Sequence, residues 1–276
     1  MKGFLINLDS SEDRLRQVEG RLFATGFVRV SDSPVRWRRE ALVIERIPAV
    51  DGRKLSESEL LKWRQRERPF WDWTTHELTP GEIGCFLSHR EFWQKVVDER
   101  LSHAFVLEDD ILLADDSVSR FLSSADWIPS DADFVKLNLF PTNSTHTYPV
   151  SKPVGLVEGR EIRRTAGRIY GTGCYVITEA AARECLEHSG KLSLPVDLFM
   201  FDSRFSFATE KKIYTILPGL AVDAGAASTI EGGRNKDRLN ACQHLLKGFY
   251  SVARRTKLRL LMRKYALSWV RSEFQS

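Results

Sequence analysis

Residues 105–113 read Phe-Val-Leu-Glu-Asp-Asp-Ile-Leu-Leu, three consecutive acids set into an apolar run. A run of this kind reads as a buried strand, and a buried strand does not carry three carboxylates without a partner. A divalent cation is the simplest partner. In an extended chain Glu108 and Asp110 project to one side and Asp109 to the other. Two carboxylates at i and i+2 on a strand end make an oxygen-rich corner suited to Mg²⁺ or Mn²⁺ shared with a diphosphate. The competing reading is a strand that ends in a solvated acidic turn.

Other residues could complete that chemistry. Asn7 and Leu8 close the first apolar stretch, and the Asn7 amide can read a base or a ribose. Arg14 can clamp phosphate through paired hydrogen bonds. Asp51, before Gly52, offers a carboxylate to a ribose hydroxyl, or else marks a plain turn. Gly171, Thr172 and Gly173 allow a ligand close to the backbone. Ser88 and His89 form a further polar pair; His89 is either a ligand contact or a satisfied structural histidine.

These residues need a scaffold. Phe4–Leu8, Val43–Val50, Ala104–Leu107, Phe134–Leu139, Cys174–Ile177 and Lys212–Leu217 read as strands. Helices are expected after Ser10-Ser11 to about Ala24, over Ser56–Gln65, after Thr79, and from Thr178 to about His188. Thr79-Pro80-Gly81-Glu82 combines an N-cap, a first-turn proline and capping-box spacing. Residues 66–78 read as an irregular aromatic loop, and 141–166 as exposed connections and edge strands. Short strands alternating with helices predict an α/β fold, a sheet packed between helices. Such sheets bind ligands beyond the carboxyl ends of their strands, where Asn7 and the acidic triplet fall.

The bulk numbers narrow the classes. With 276 residues, 42% apolar and 28% charged, the chain is of ordinary globular composition. No stretch approaches the roughly 20 apolar residues of a membrane span. The first residues lack a secretory pattern, and the 4 cysteines lack metal-site spacing, so a cytoplasmic location is expected. The net charge of +4 is uneven: Arg238 to Ser272 holds no acid and nine Lys or Arg. A helix over 247–271 would align Leu258, Leu261, Met262, Tyr265 and Trp269 on one face among basic residues. That pattern suits either peripheral contact with an anionic membrane surface or packing on the domain. The tail lacks the aromatic platforms of single-strand binders, and no nucleic acid partner is expected.

Five segments, taken in order, resemble glycosyltransferase family 25. They are Ile6-Asn7-Leu8-Asp9, Ala49-Val50-Asp51-Gly52, Leu78 to His89 with its Gly-Glu-Ile-Gly-Cys-Phe-Leu-Ser-His block, Val106 to Asp110, and Tyr170 to Ile177. The family includes bacterial lipooligosaccharide galactosyltransferases and is related to collagen galactosyltransferases. The resemblance runs from about residue 2 to 230. It implies a GT-A-type, Rossmann-like nucleotide-sugar-binding sheet and inverting transfer from a UDP-sugar with a divalent metal. On this chain, Glu108-Asp109-Asp110 takes the place of the Asp-x-Asp motif. Asp110 is then the leading metal ligand and Glu108 a second metal or ribose contact. Pro195-Val196-Asp197, with Asp202 nearby, matches a late acidic motif, which makes Asp197 the preferred catalytic base and Asp202 the alternative. Asp197 could instead cap a helix after Pro195. Asp223 stands where family members commonly carry Gln, and the resemblance makes His244 a candidate third metal ligand, as a late histidine is in some GT-A enzymes. Trp63, Trp71 and Trp73 could stack on a sugar from a lid loop or anchor packing.

The resulting expectation is a glycosyltransferase domain over 1–235 and a basic amphipathic helical extension over 236–276. It would move a hexose, galactose first, from a nucleotide-sugar donor to a glycan or glycolipid acceptor. The rival readings are a metal-dependent nucleotidyltransferase, which releases pyrophosphate instead of UDP, and a non-catalytic basic membrane-binding protein.

Overall fold

The computed structural model describes residues 1–66, 77–114, 117–138, 147–191, 193–203, 206–223 and 241–271. The amino-terminal part runs β1 (Lys2–Asn7), α1 (Glu12–Ala24), β2 (Val28–Asp32), β3 (Val35–Arg39), β4 (Leu42–Pro48), α2 (Glu57–Arg64) and α3 (Pro80–Asp98). The middle runs β5 (His103–Glu108), β6 (Ile111–Leu113), α4 (Ser117–Ser123), β7 (Phe134–Lys136), β8 (Thr147–Val157), β9 (Arg160–Thr165) and β10 (Cys174–Thr178). Then come α5 (Glu179–Ser189), α6 (Val196–Phe201), α7 (Ser206–Thr209), β11 (Ile213–Leu217), β12 (Ala221–Asp223), α8 (Ala241–Lys264) and β13 (Ser268–Arg271).

Eleven of these strands form one mixed sheet, in the order β13-β8-β9-β11-β7-β10-β5-β1-β4-β3-β2. At its centre β1 lies parallel to both β4 and β5. Central parallel strands are covered on both faces, and their sequences are accordingly near-continuous apolar runs. Alternation then splits each strand between two cores. Phe4, Ile6, Ala104 and Val106 face α3, α5 and α6. Leu5, Phe105 and Leu107 face Val18 and Leu22 of α1 and Phe121 and Leu122 of α4. The expected mixed α/β sheet flanked by helices is the fold observed.

The caps expected at Thr79 and Thr178 form, whereas Ser11 makes no side-chain cap bond at the start of α1. Thr79 and Glu82 exchange side-chain and backbone hydrogen bonds at the start of α3, with Pro80 in its first turn. Thr178 caps α5 by accepting from Ala181 N at 3.2 Å. Each cap satisfies helix-end donors that burial would leave unpaired.

Three expectations need correction. The acidic triplet does not continue as strand: β5 ends at Glu108, Asp109 and Asp110 form a turn, and β6 begins at Ile111. Strict alternation through the triplet therefore fails. The strand expected over Phe134–Leu139 stops at Lys136. The carboxyl-terminal helix ends at Lys264, because Ala266 adopts a left-handed backbone (φ 49°) that an α-helix excludes. Trp269 thus sits on a strand, and β13 pairs with β8 to complete the sheet edge. Leu261 is buried with Ala166 and Leu267, and Met262 and Tyr265 pack against them. The Arg164 guanidinium lies over the Tyr265 ring at 3.9 Å. The apolar stripe of α8 packs on the domain, while Val252, Leu260 and Trp269 remain exposed. No helix among the described residues is long and apolar enough to cross a membrane.

Candidate active site

A cleft of about 390 Å³ opens at the carboxyl ends of β1, β4 and β5, beside the start of α3. Asn7, Leu8, Arg14, Asp51, Ser88, His89, Glu108, Asp109 and Asp110 all line it. A second hollow, of about 480 Å³, is lined by Lys2, Arg36 and Arg38 with no acid or histidine, and offers no comparable chemistry.

One wall is a clamp on Asp109. The Asn7 amide donates to Asp109 Oδ2 at 2.8 Å, and Arg14 donates to Asp109 Oδ1 at 3.1 Å. Asn7 is itself fixed, because its Oδ1 accepts from Arg46 Nε at 3.0 Å. Asp109 therefore ties the acidic turn to β1 and α1.

The opposite wall is the turn after β4. Arg53 grips both Asp51 oxygens at 2.8 Å, and that bond holds the Asp51 carboxyl below its ordinary value. The turn lies hard against α3. A Cβ on Gly84 would meet Val50 O at 2.5 Å and Gly52 N at 2.7 Å, both immovable backbone atoms. Ser88 accepts from Val50 N at 2.9 Å and donates to Gly84 O at 2.8 Å. Its hydroxyl fastens the wall to the helix.

The floor is a polar chain in an apolar core. Glu108 Oε1 accepts from Thr172 Oγ1 at 2.7 Å and meets His89 Nε2 at 3.1 Å. His89 Nδ1 meets Tyr175 Oη at 3.0 Å, and Trp93 Nε1 donates to the same oxygen at 3.0 Å. Burial pushes the Glu108 carboxyl up. The hydrogen bonds from His89 and Thr172 and the Lys136 ammonium outweigh it, so the carboxyl lies below its ordinary value.

Cys85 Sγ, a His89 nitrogen and a Glu108 oxygen lie within 4.8 Å of one another. A soft-metal site there would need a thiolate and a vacant imidazole lone pair. Burial and the charges of Glu108, Asp197 and Asp110 push the Cys85 thiol well above its usual range. Both His89 nitrogens are already engaged. The trio is wired for hydrogen bonding.

Behind Glu108 stands the loop from Tyr170 to Gly173. Gly171 has φ 74°, which favours glycine, and its N–H donates to Asp197 Oδ2 at 3.2 Å. Asp197 Oδ1 accepts from Leu198 N at 2.8 Å in the first turn of α6. Burial raises the Asp197 carboxyl above its ordinary value, against the pull of those two bonds and of Lys136 and Arg168. Asp202 lies elsewhere: it is fully buried at the end of α6, 3.8 Å from Arg168 Nε. Thr172 reaches Glu108 and Gly171 reaches Asp197 by hydrogen bond, but Gly171, Thr172, Gly173, Asp197 and Asp202 are all outside the set of residues that line the cleft.

A family model, glycosyltransferase family 25 (LPS biosynthesis protein), matches residues 1–200. The chain belongs to this family. It is 30% identical over 158 residues to the lipooligosaccharide biosynthesis protein lic2B of Haemophilus influenzae, covering 54% of this chain and 56% of that protein. It is 32% identical over 110 residues to procollagen galactosyltransferase 2 of Mus musculus, covering 39% and 15%. It is also 33% identical over 164 residues to the probable inactive glycosyltransferase 25 family member 3 of Bos taurus, covering 56% and 27%. The matched segments thus span about half or less of these relatives' own lengths.

Sequence reading of this family 25 chain missed two features. Lys136 is fully buried, donates to Tyr170 O and Gly171 O, and lies near both Glu108 and Asp197. A lysine inside Phe134-Val135-Lys136-Leu137 is the same signal as acids inside an apolar run. Tyr175, expected only as part of the strand Cys174–Ile177, carries its hydroxyl in the polar chain beneath the cleft. His244, Trp71 and Trp73 lie outside the described side chains, as does that of Asp223. The backbone register nevertheless sets Asp223 opposite Ile111, one residue from Asp110. Trp63 is described: it is buried, with its ring 5.1 Å from Phe86, and serves packing.

Proposed function

We propose that this protein is an inverting glycosyltransferase that moves a hexose, galactose first, from a UDP-sugar to a hydroxyl of a lipooligosaccharide or related glycan. The observation that carries the reading is the acid-lined cleft at the carboxyl ends of β1, β4 and β5, where α/β sheets take nucleotide ligands. Family membership supports transferase chemistry. The names of the lipooligosaccharide and procollagen relatives suggest the substrate class.

Glu108 and Asp110 line one cleft with carboxylate oxygens, the donor set a hard divalent cation takes. They would hold Mn²⁺ or Mg²⁺, which supplies Lewis-acid stabilisation of the departing diphosphate. The chain's own residues do the rest. Asp51 faces the nucleotide side of the cleft for a ribose hydroxyl. Arg14, beside the acidic turn, offers positive charge to phosphate oxygens. Asp197 removes the proton from the acceptor hydroxyl as the sugar carbon inverts. Its raised carboxyl is a stronger base than an ordinary aspartate. The burial of Asp202 favours Asp197 for this role.

The protein would act in the cytoplasm, at the inner membrane face where a lipid-linked acceptor is found. Arg255, Arg259, Arg263 and Lys264, with exposed Leu260 and Trp269, suit an anionic surface. The deciding experiment is a panel of nucleotide-sugars with and without Mn²⁺, scored for released UDP and transferred sugar. Metal-stimulated UDP release from UDP-galactose is expected. Pyrophosphate release from a nucleoside triphosphate would replace this reading with nucleotidyl transfer.

A further inference from the structure

Three side chains in the α3–β10 core are fully buried yet polar: Trp93 and Tyr175 at one atom each, and His89 at both ring nitrogens. Aromatic rings close around them: Phe92 and Phe201 stand edge-on to Tyr175 at 5.8 and 5.5 Å. Polar groups in such a place must satisfy one another, so their protons can be assigned by counting.

Trp93 Nε1 can only donate, and it donates to Tyr175 Oη. The single Tyr175 proton then has His89 Nδ1, 3.0 Å away, as its acceptor. Nδ1 must carry a lone pair to accept it. A neutral imidazole with its lone pair on Nδ1 holds its proton on Nε2, and that proton points to Glu108 Oε1. The reverse tautomer would set a nitrogen lone pair against a carboxylate oxygen at 3.1 Å. An imidazolium would leave the Tyr175 proton unbonded in an aromatic shell. Only one arrangement satisfies every member.

We infer that Trp93 and Tyr175 are positioning residues for the cleft carboxylate. The ordered chain Trp93 to Tyr175 to His89 to Glu108 fixes His89 as the Nε2–H tautomer. It commits Glu108 Oε1 to the protein. Among the described residues no hydrogen bond falls on Glu108 Oε2, which is the oxygen the chain leaves for a ligand in the cleft. The inference deepens the proposed function and rests on Glu108 being a ligand-facing group. Outer partners of this kind typically govern affinity or activity by about 10–100-fold.

The test is ¹⁵N NMR of the histidine ring nitrogens in the ligand-free full chain, with His89 assigned by the signals lost in His89→Gln. The wild type is expected to show His89 protonated at Nε2 alone. Tyr175→Phe keeps the ring and deletes the hydroxyl. It takes away the proton that His89 Nδ1 accepts, so the Nδ1 signal should shift while Nε2 keeps its proton toward Glu108. Donor kcat/KM should fall about 10–100-fold, and the Trp93 N–H left unpaired should lower the melting temperature by a few degrees. Trp93→Phe removes one link further out and should move both readouts less, which keeps the test open if Tyr175→Phe folds poorly. A wild-type His89 protonated at Nδ1, or at both nitrogens, overturns the proposal. So does a folded Tyr175→Phe with an unchanged His89 Nδ1 signal and unchanged kcat/KM. The NMR arm needs no activity, so a wild type that transfers no sugar defeats the proposed function while the tautomer still decides the chain.

Discussion

Two carboxylates sit on strands that flank β1, and they are treated in opposite ways. Glu45, in the middle of β4, is surrounded by cations: Lys2 at 2.9 Å, Arg36 at 2.8 Å and Lys95 at 2.7 Å. Burial raises its carboxyl, but the bonds from Lys95, Lys2 and Arg36 overwhelm that and bring it down to about 2. Glu108, at the end of β5, receives His89 and the neutral Thr172 hydroxyl and keeps a quarter of its side chain open to the cleft. Glu45 is saturated and buried; Glu108 retains charge for something that arrives. Saturation marks an acid that holds the fold together, and incomplete neutralisation marks an acid kept for chemistry.

The contrast can be broken by experiment. Asp197 belongs with Glu108, and Asp197→Asn should lower kcat by roughly 10²–10⁴-fold while donor binding persists. Normal transfer by that variant would remove Asp197 from the chemistry. Glu108→Gln should cost roughly 10²–10³-fold in turnover with little change in melting temperature. Glu45→Gln should do the reverse. It leaves turnover per folded molecule intact and costs about 2 kcal/mol in denaturant melts, less than the ~3–5 kcal/mol of a fully buried pair because the cations regain water. A swap of these two outcomes would end the comparison.

Acid titration sharpens it. Glu45 is depressed in the fold, so its stabilisation is complete above the unfolded carboxyl value of 4.5 and is lost as pH falls toward about 2. Asp197 is raised and must be ionised to accept a proton. Turnover should therefore fall at a pH above the ordinary aspartate range, while the fold is still intact. Parallel loss of turnover and of folded signal would contradict this separation. The smallest effect is expected at the far edge. Trp269→Ala should stay within about 0.5 kcal/mol of wild type in stability and weaken binding to anionic vesicles in a sedimentation assay.

Much of the cleft was legible in the chain because its signals are local. The capping box at Thr79 and Glu82 announces α3, and acids inside an apolar run announce the end of β5. The β2–β3 hairpin was not legible: Val28-Arg29-Val30-Ser31-Asp32 is an exposed edge strand whose pattern follows its position, and no core face disciplines it. The helical spacing of α8 runs smoothly through Trp269, and only the backbone turn at Ala266 reveals where the helix stops. Tyr175 hides for another reason. Its hydroxyl matters through partners 82 and 86 residues away, and pairings at that separation leave no local mark.

The pairing of β13 with β8 ties the basic helix to the integrity of the sheet edge. A variant cut after Asn240 would lose the helix and also the last strand of the sheet. The freed rim of Tyr148 to Val150 would present unmet backbone donors and acceptors to any neighbouring molecule. Such a protein would self-associate, and a sedimentation assay would score its clumping as adhesion to vesicles. Charge reversal at Arg259 and Arg263, which leaves the rim sealed, avoids that confusion.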